Sequence, residues 1–357
     1  MDDEYPPIQG AICPTPLPHQ DKIILGHGSG GKLSQNLIQK HFMPAFTNPM
    51  LMAGDDSAVV LLDAISKDNR LAISTDSHVV WPLFFPGGDI GRLAVCGTVN
   101  DLAMVGALPL YLTAGFILEE GLDISVLERV LQSMKDAAQE SGILIVAGDT
   151  KVVQRGKADG LYINTAGFGL IDPRVHISGA NAKPGDIVIL SGSVGDHGIS
   201  VLQARNELGF AAEISSDIAP LNHLTQAMLR VCPDIHVMRD PTRGGLATSL
   251  NEIARQSNVG IVIDKKNVPV KPPVASACEM LGFDPLYIAN EGKLVAFIPE
   301  IYATKVLDSM RDTQYGESST IIGSVVAEHP GKVLLKTGLG STRILDSLSG
   351  ELLPRIC

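Results

Sequence analysis

The most constraining feature of this chain is a turn-rich stretch, IDPRVHISGANAKPGD (171–186), which parts two blocks that each mix strand-like and helix-like segments. In the first block, apolar runs at 58–63, 71–79, 111–118, 143–148 and 161–170 read as strands. Stretches at 89–107 and 124–142 read as helices, the second stopping on Gly142. The second block predicts helices at 198–208, 220–231, 244–257, 273–282 and 301–311, with strands at 187–191, 235–239, 259–264, 293–298 and 320–326. Neither block keeps the βαβα rhythm of a doubly wound sheet, so the expected class is α+β.

The expected organisation is a flexible, proline-punctuated extension over 1–20, a first domain over 21–172, a second over 173–340, and a mobile tail over 341–357 that ends in Cys357. Gly350 and Pro354 keep the last residues from continuing as helix. Seven residues beyond Gly350 reach at most ~25 Å when extended. That is enough to carry a terminal group between solvent and a nearby cleft.

Charge narrows the partners. Twenty-eight basic against 39 acidic residues leave a net charge of −11. Without a basic stripe, binding to a nucleic-acid backbone has little electrostatic drive. An acidic protein still binds nucleotide when divalent cations bridge carboxylates to phosphate. No window of ~18 apolar residues predicts a membrane span, and the acidic start MDDEYPPIQG is unlike a signal peptide. Five cysteines with no CxxC spacing argue against a disulfide framework or a zinc site. The expected location is the cytoplasm.

GHGSGGK (26–32) fits both the GxxxxGK and the GxGxxG patterns. A P-loop needs Ser or Thr after the lysine, and here Leu33 stands there. A dinucleotide fold needs an acidic residue about 20 positions on, where the chain reads PMLMAG. A surface glycine turn and a loop that closes over phosphate with backbone N–H groups both remain open.

A series of carboxylates is more telling. They occur as Gly54-Asp55-Asp56-Ser57, Ser74-Thr75-Asp76, Asn100-Asp101 and Gly148-Asp149-Thr150-Lys151, each expected at a strand end or on a glycine turn. Any one of them serves equally well as a cap or turn former. Together they suit Mg²⁺ bound with a nucleotide, which takes one or two carboxylates per ion. The second block adds Pro184-Gly185-Asp186, Gly195-Asp196-His197-Gly198, Asp240-Pro241-Thr242-Arg243-Gly244-Gly245 and Asn290-Glu291-Gly292. DPTRGG opens a helix, so Arg243 and the backbone there face an anion, or Asp240 is a plain N-cap. His197 is as readily a turn histidine as a ligand.

The order GHGSGGK, GDDSA, STDSHVV, VNDLAMVGA, AGDTKVV, KPGD, GDHG, RDPTRGG, NEG resembles the PurM-like, AIR synthase-related superfamily from about residue 21 onward. The ending Pro354-Arg355-Ile356-Cys357 is similar to that of one family within it, the carbamoyl dehydratases of [NiFe]-hydrogenase maturation. The resemblance implies a two-domain subunit that forms a homodimer through its N-terminal sheet, with ATP and Mg²⁺ in a groove bordered by both domains. It implies that Gly28, Gly30, Gly31 and Lys32 cover the nucleotide phosphates. It also implies that Asp55, Thr75, Asp76, Asn100, Asp101, Asp149, Thr150 and Arg243 bind the cofactor, with Asp56, Asp76, Asp101 and Asp149 toward metal. Which of Asp55 and Asp56 ligates stays open.

The implied reaction starts from a thiocarbamate on Cys357, installed by the carbamoyltransferase HypF. ATP phosphorylates the carbamoyl oxygen, and loss of phosphate leaves a thiocyanate. Its carbon then passes as cyanide to an iron centre carried by a HypC–HypD complex. Lys151 and Glu291 match positions suited to removing the N–H protons; gripping phosphate and capping a turn are their plainer alternatives. The competing functions are a PurM-like small-molecule synthetase or kinase, and a non-enzymatic, ATP-gated scaffold.

Overall fold

The computed structural model describes residues 32–42, 52–61, 70–206, 214–338, 340–348, 353 and 355–357. Its fold is α+β: two mixed sheets flanked by helices.

The first sheet is built from β1 (Ala58–Leu61), β2 (Arg70–His78), β5 (Ala107–Glu119), β6 (Leu144–Val153) and β7 (Leu161–Ile171), with a short hairpin of β3 (Phe84–Phe85) and β4 (Gly88–Asp89) beside it. The order is β1-β2-β7-β5-β6, antiparallel except for the β5–β6 pair. Period-two alternation decides which side chains face in. On β2, Ala72, Ser74 and His78 are buried while Thr75 and Ser77 are exposed.

Helix α2 (Ile90–Met104), preceded among the described residues by the short α1 (Lys32–Leu37), crosses the inner face of this sheet and is buried along almost its whole length. Asp89 caps it by accepting from the amides of Gly91 and Arg92. Gly97 lets the helix approach: a Cβ there would lie 3.3 Å from the Asp76 carboxylate and 3.1 Å from the His78 ring. Helix α3 (Ile124–Ser141) packs on α2 and ends at Gly142 with φ 72°.

The second sheet has the order β14-β13-β10-β12-β8-β11-β9. Its strands are β8 (Asp186–Leu190), β9 (Val237–Arg239), β10 (Gly260–Asp264), β11 (Val295–Pro299), β12 (Thr320–Val326), β13 (Lys332–Lys336) and β14 (Thr342–Leu345). Helices α4 (Asp196–Ala204), α5 (Asn222–Val231), α6 (Gly245–Gln256), α7 (Pro272–Leu281) and α8 (Glu300–Arg311) accompany it. One apolar cluster joins the halves, with Leu102, Met104 and Ile171 packed among Ile189, Leu221, Met228 and Ala296.

Two departures from the sequence reading matter. Strand β6 runs on to Val153 because its pairing with β5 continues to Glu119. Asp149, Thr150 and Lys151 therefore lie within a strand and not on a turn. The stretch expected as a free tail from 341 begins as edge strand β14, with only Leu345 buried. Three exposed residues in four leave no alternation to read.

Candidate active site

The site grows from the inner face of β2 where α2, α6 and the start of the second sheet meet. Asp76 projects inward from β2, and Asp101 lies on α2, held by the Ser74 hydroxyl at 2.6 Å. Asp56, ahead of β1, is fixed by the Arg239 guanidinium at 3.0 Å, and Arg239 also reaches Glu252 at 3.5 Å. Asp240 follows β9, and Glu291 stands in the NEG loop, both buried. Gly292 next to it allows the close approach of the Asp217 carbonyl, which a Cβ would meet at 1.8 Å.

The environment of these carboxylates opposes their charged form. Burial pushes Asp56 and Asp101 well above the usual carboxylate range, and neighbouring acids add to the shift; Arg239 opposes it at Asp56. Burial also pushes Asp240 up to about 6 and raises Glu291, with Asp76 adding to both. Glu291 Oε1 is buried without a hydrogen-bond partner. A buried group of oxygen donors that repel one another suits a hard divalent cation in kind. Among the described residues, no three of these side chains converge on a single point for an ion. Mg²⁺ held chiefly by nucleotide phosphates needs only one or two protein carboxylates, so the donor set fits it.

The end of the chain lies in this groove. The Val79 amide donates to a main-chain oxygen of Cys357 at 3.1 Å and the Trp81 amide to the Arg355 carbonyl at 3.4 Å, an antiparallel pairing that prolongs β2. Ile356 is 3% exposed. Burial raises the Cys357 thiol to about 12; Arg243 opposes this, while Glu291, Asp76 and Asp240 add to it. Cys357 is in turn the chief cause of a raised pKa at Arg243. The thiol thus rests as the neutral S–H, next to a guanidinium and Glu291.

The other expected residues fall elsewhere. Register places Asp76 across from Thr165, Ala114 and Gly148, all in one row. Asp149 sits one residue on, in the row of Ser77, Asn164 and Gly115, and so on the opposite face. There it pairs with Lys151, whose hydrogen bonds hold the Asp149 carboxyl below its usual value. Both line a cavity of ≈ 350 Å³ with Ser77, Val79, Tyr162 and Asn164. Thr75 is exposed on this same face, donating to the Thr165 carbonyl. Thr150, between Asp149 and Lys151, is exposed too.

Asp55 accepts from the Ser178 hydroxyl and the Gly179 amide, tying β1 to the connection between the halves. The Asn100 amide bridges the backbones of Ala219, Leu221 and Glu291. Lys32 is drawn to the second half, pairing with Asp346 at 3.5 Å. Gly28, Gly30 and Gly31 lie outside the described residues.

Three residues with no firm sequence role join the site. Asp240, readable as a cap, belongs to the carboxylate group. His197 donates to the Ile356 carbonyl at 2.7 Å. His78 is buried 3.6 Å from Asp76 with neither ring nitrogen hydrogen-bonded, and burial lowers its pKa. In sequence, the STDSHVV run was the only pointer to His78.

The chain matches the family model for the AIR synthase related protein N-terminal domain over residues 54–171 and that for the C-terminal domain over 183–336. It is 51% identical to carbamoyl dehydratase HypE of Azotobacter vinelandii, over 93% of this chain and 96% of that protein. A solved HypE–HypF complex superposes at a TM-score of 0.83 with 48% identity, covering 87% of this chain and 99% of that one. HypE solved in complex with ATP gives 0.78 with 50% identity, covering 94% of this chain and 100% of that one.

Proposed function

The chain belongs to the carbamoyl dehydratase HypE family, and from that premise we propose that it uses ATP to dehydrate a carbamoyl group carried on its own Cys357, yielding the thiocyanate that supplies cyanide to a [NiFe]-hydrogenase iron centre. The observation that carries this reading is the placement of the half-buried Cys357 thiol in a carboxylate-lined groove beside Arg243 and Glu291.

A carbamoyltransferase of the HypF kind loads the thiol. Because that thiol is held neutral in the groove, loading takes place with the end of the chain withdrawn. On its return, the γ-phosphoryl of ATP passes to the carbamoyl oxygen. Arg243 steadies the anion formed beside it, and Glu291, whose pKa burial raises, takes an N–H proton. Asp76, Asp101 and Asp240 would hold Mg²⁺ brought in with the nucleotide, with Asp56 fixed by Arg239, and the ion would supply charge neutralisation for the phosphates. Asn100 positions Glu291 through its backbone carbonyl.

Lys151 and Asp149 point away from this groove, so they act on the groove of a partner subunit. Support for a homodimer comes from the outer face of the first sheet, where Tyr111, Ile117 and Leu170 are exposed, and from edge strand β6, which exposes Leu144, Val146 and Val152. A HypC–HypD complex is the acceptor of the cyanide. Among the described residues no helix is long and apolar enough to cross a membrane, and the cytoplasm is the proposed location.

Incubation with the carbamoyltransferase, carbamoyl phosphate and Mg-ATP, followed by intact mass, tests the reading. Cys357 gains one carbamoyl group and then loses one water. Equal carbamoyl-dependent ATP cleavage by a Cys357→Ala chain would eliminate it in favour of a small-molecule synthetase. Nucleotide binding without cleavage would favour a scaffold.

A further inference from the structure

Main-chain oxygens of the three last residues each meet a donor from elsewhere in the fold. That of Arg355 accepts from Arg205 Nη2 at 2.6 Å as well as from the Trp81 amide. That of Ile356 accepts from His197 Nε2, and that of Cys357 from the Val79 amide. A carbonyl only accepts, so His197 carries its hydrogen on Nε2, and Nδ1 takes the Ser216 hydroxyl at 2.8 Å. Burial lowers the pKa of this imidazole and keeps it neutral. Phe85 packs edge-on against it at 5.5 Å.

The side chains are read as well. Ile356 sits in the apolar cluster that contains Val201, Ile218 and Ala289. Arg355 pairs with Asp159, and its Nε donates to the Val79 carbonyl at 3.2 Å. Main-chain pairing along a strand, a socket for one side chain and a counter-charge for the next are the elements by which folds capture separate peptides. None of these contacts needs a covalent link between the terminal three residues and the rest of the molecule.

We propose that Val79, Trp81, Asp159, His197 and Arg205 form a receptor for a carboxy-terminal Arg-Ile-Cys peptide in trans, making such a peptide a ligand and its S-carbamoyl form a substrate. The second half rests on the dehydratase reading above. The step balances as R–S–C(=O)NH₂ + ATP⁴⁻ → R–S–C≡N + ADP³⁻ + HPO₄²⁻ + H⁺. The carbamoyl oxygen leaves in phosphate, and of the two N–H protons one stays on phosphate while the other is released. The chain's own end competes at an effective concentration on the order of 1 mM, so it must be displaced before a free peptide can enter.

The test uses full-length chain carrying Ile356→Asp and Cys357→Ala, and a synthetic acetyl-Leu-Pro-Arg-Ile-Cys peptide with a fluorophore or with S-carbamoyl on its cysteine. Anisotropy should report saturable binding, about tenfold tighter than to chain with Cys357→Ala alone. A peptide with Glu in place of Arg should lose that binding and regain it on a host that also carries Asp159→Lys. With Mg-ATP, the S-carbamoyl peptide should lose one water by mass. Absence of saturable binding up to ~1 mM in both the Asp159 and the Asp159→Lys hosts overturns the receptor. Binding without conversion, while wild-type chain converts its own Cys357, overturns only the substrate half. Failure of wild-type chain to convert its own tail counts against the dehydratase reading and leaves the binding result standing.

Discussion

Asp76 and Asp149 belong to one sheet but face opposite sides of it, on strands three steps apart, roughly 14 Å at the usual strand spacing. Residues so placed stand on the two sides of one sheet. If Lys151, on the Asp149 face, serves a partner's groove, two inactive variants should rescue each other. Mixing Cys357→Ala with Lys151→Ala subunits after exchange should restore about one quarter of wild-type dehydration, since half of random dimers carry one complete site of two. No recovery, with mixed dimers verified by native mass spectrometry, would place Lys151 in its own subunit's chemistry.

Asp55 and Asp56 should separate cleanly. Asp55 closes a hydrogen-bonded tie to Ser178 and Gly179, so Asp55→Asn should cost about 1–2 kcal/mol of stability while ATP cleavage persists. Asp56 lies in the repelling carboxylate group, held by Arg239. Asp56→Asn should instead abolish Mg-ATP-dependent stabilisation. Calorimetric melting with and without Mg-ATP distinguishes the two, and matching profiles would contradict the division of roles.

Glu291 carries a raised pKa, so the proton-accepting form grows as pH rises. Single-turnover dehydration of carbamoylated chain should therefore quicken as pH rises. Glu291→Gln should lower the rate by about 10²–10⁴ and flatten that limb. A variant that keeps the wild-type pH dependence would show another group to be the base.

The carboxylate group should also mark the stability of the metal-free chain. Asp240 is raised from 3.8 to about 6 in the fold, so the folded chain binds more protons than the unfolded one between those values. Its contribution is complete below the lower value and lost as pH rises through the upper. Asp240→Asn should thus melt higher than wild type at pH 8 without Mg-ATP, and the difference should shrink toward pH 4. A lower melting point at pH 8 would contradict the repulsion.

Much of this was legible in the chain. The elements of the first half were readable because β2 and β7 alternate and because Asp89 and Gly142 mark an end of α2 and of α3. The terminal cysteine and the carboxylates stood out because their residue types have few cheaper explanations in that order. What escaped was set by tertiary placement. That Asp149 faces away from Asp76 follows from register and strand order across four strands, neither of which leaves a local signal. Asp240 and His197 looked like ordinary cap and turn residues because their neighbours come from distant segments. The edge strand β14 carries no alternation, so nothing in 341–348 announced it.

Trp81 is the chain's one tryptophan. The residue is 47% exposed, while its amide holds Arg355 and its carbonyl accepts from Arg205 at 2.8 Å. Departure of the last residues frees the Trp81 amide, while the Trp81 carbonyl keeps its bond from Arg205. The molecule therefore contains its own optical gauge: because the group released is the amide of the chain's one indole residue, its emission should change whenever the cysteine leaves to be loaded and revert when it returns, so the carrier's journeys can be timed by stopped flow without attaching any dye.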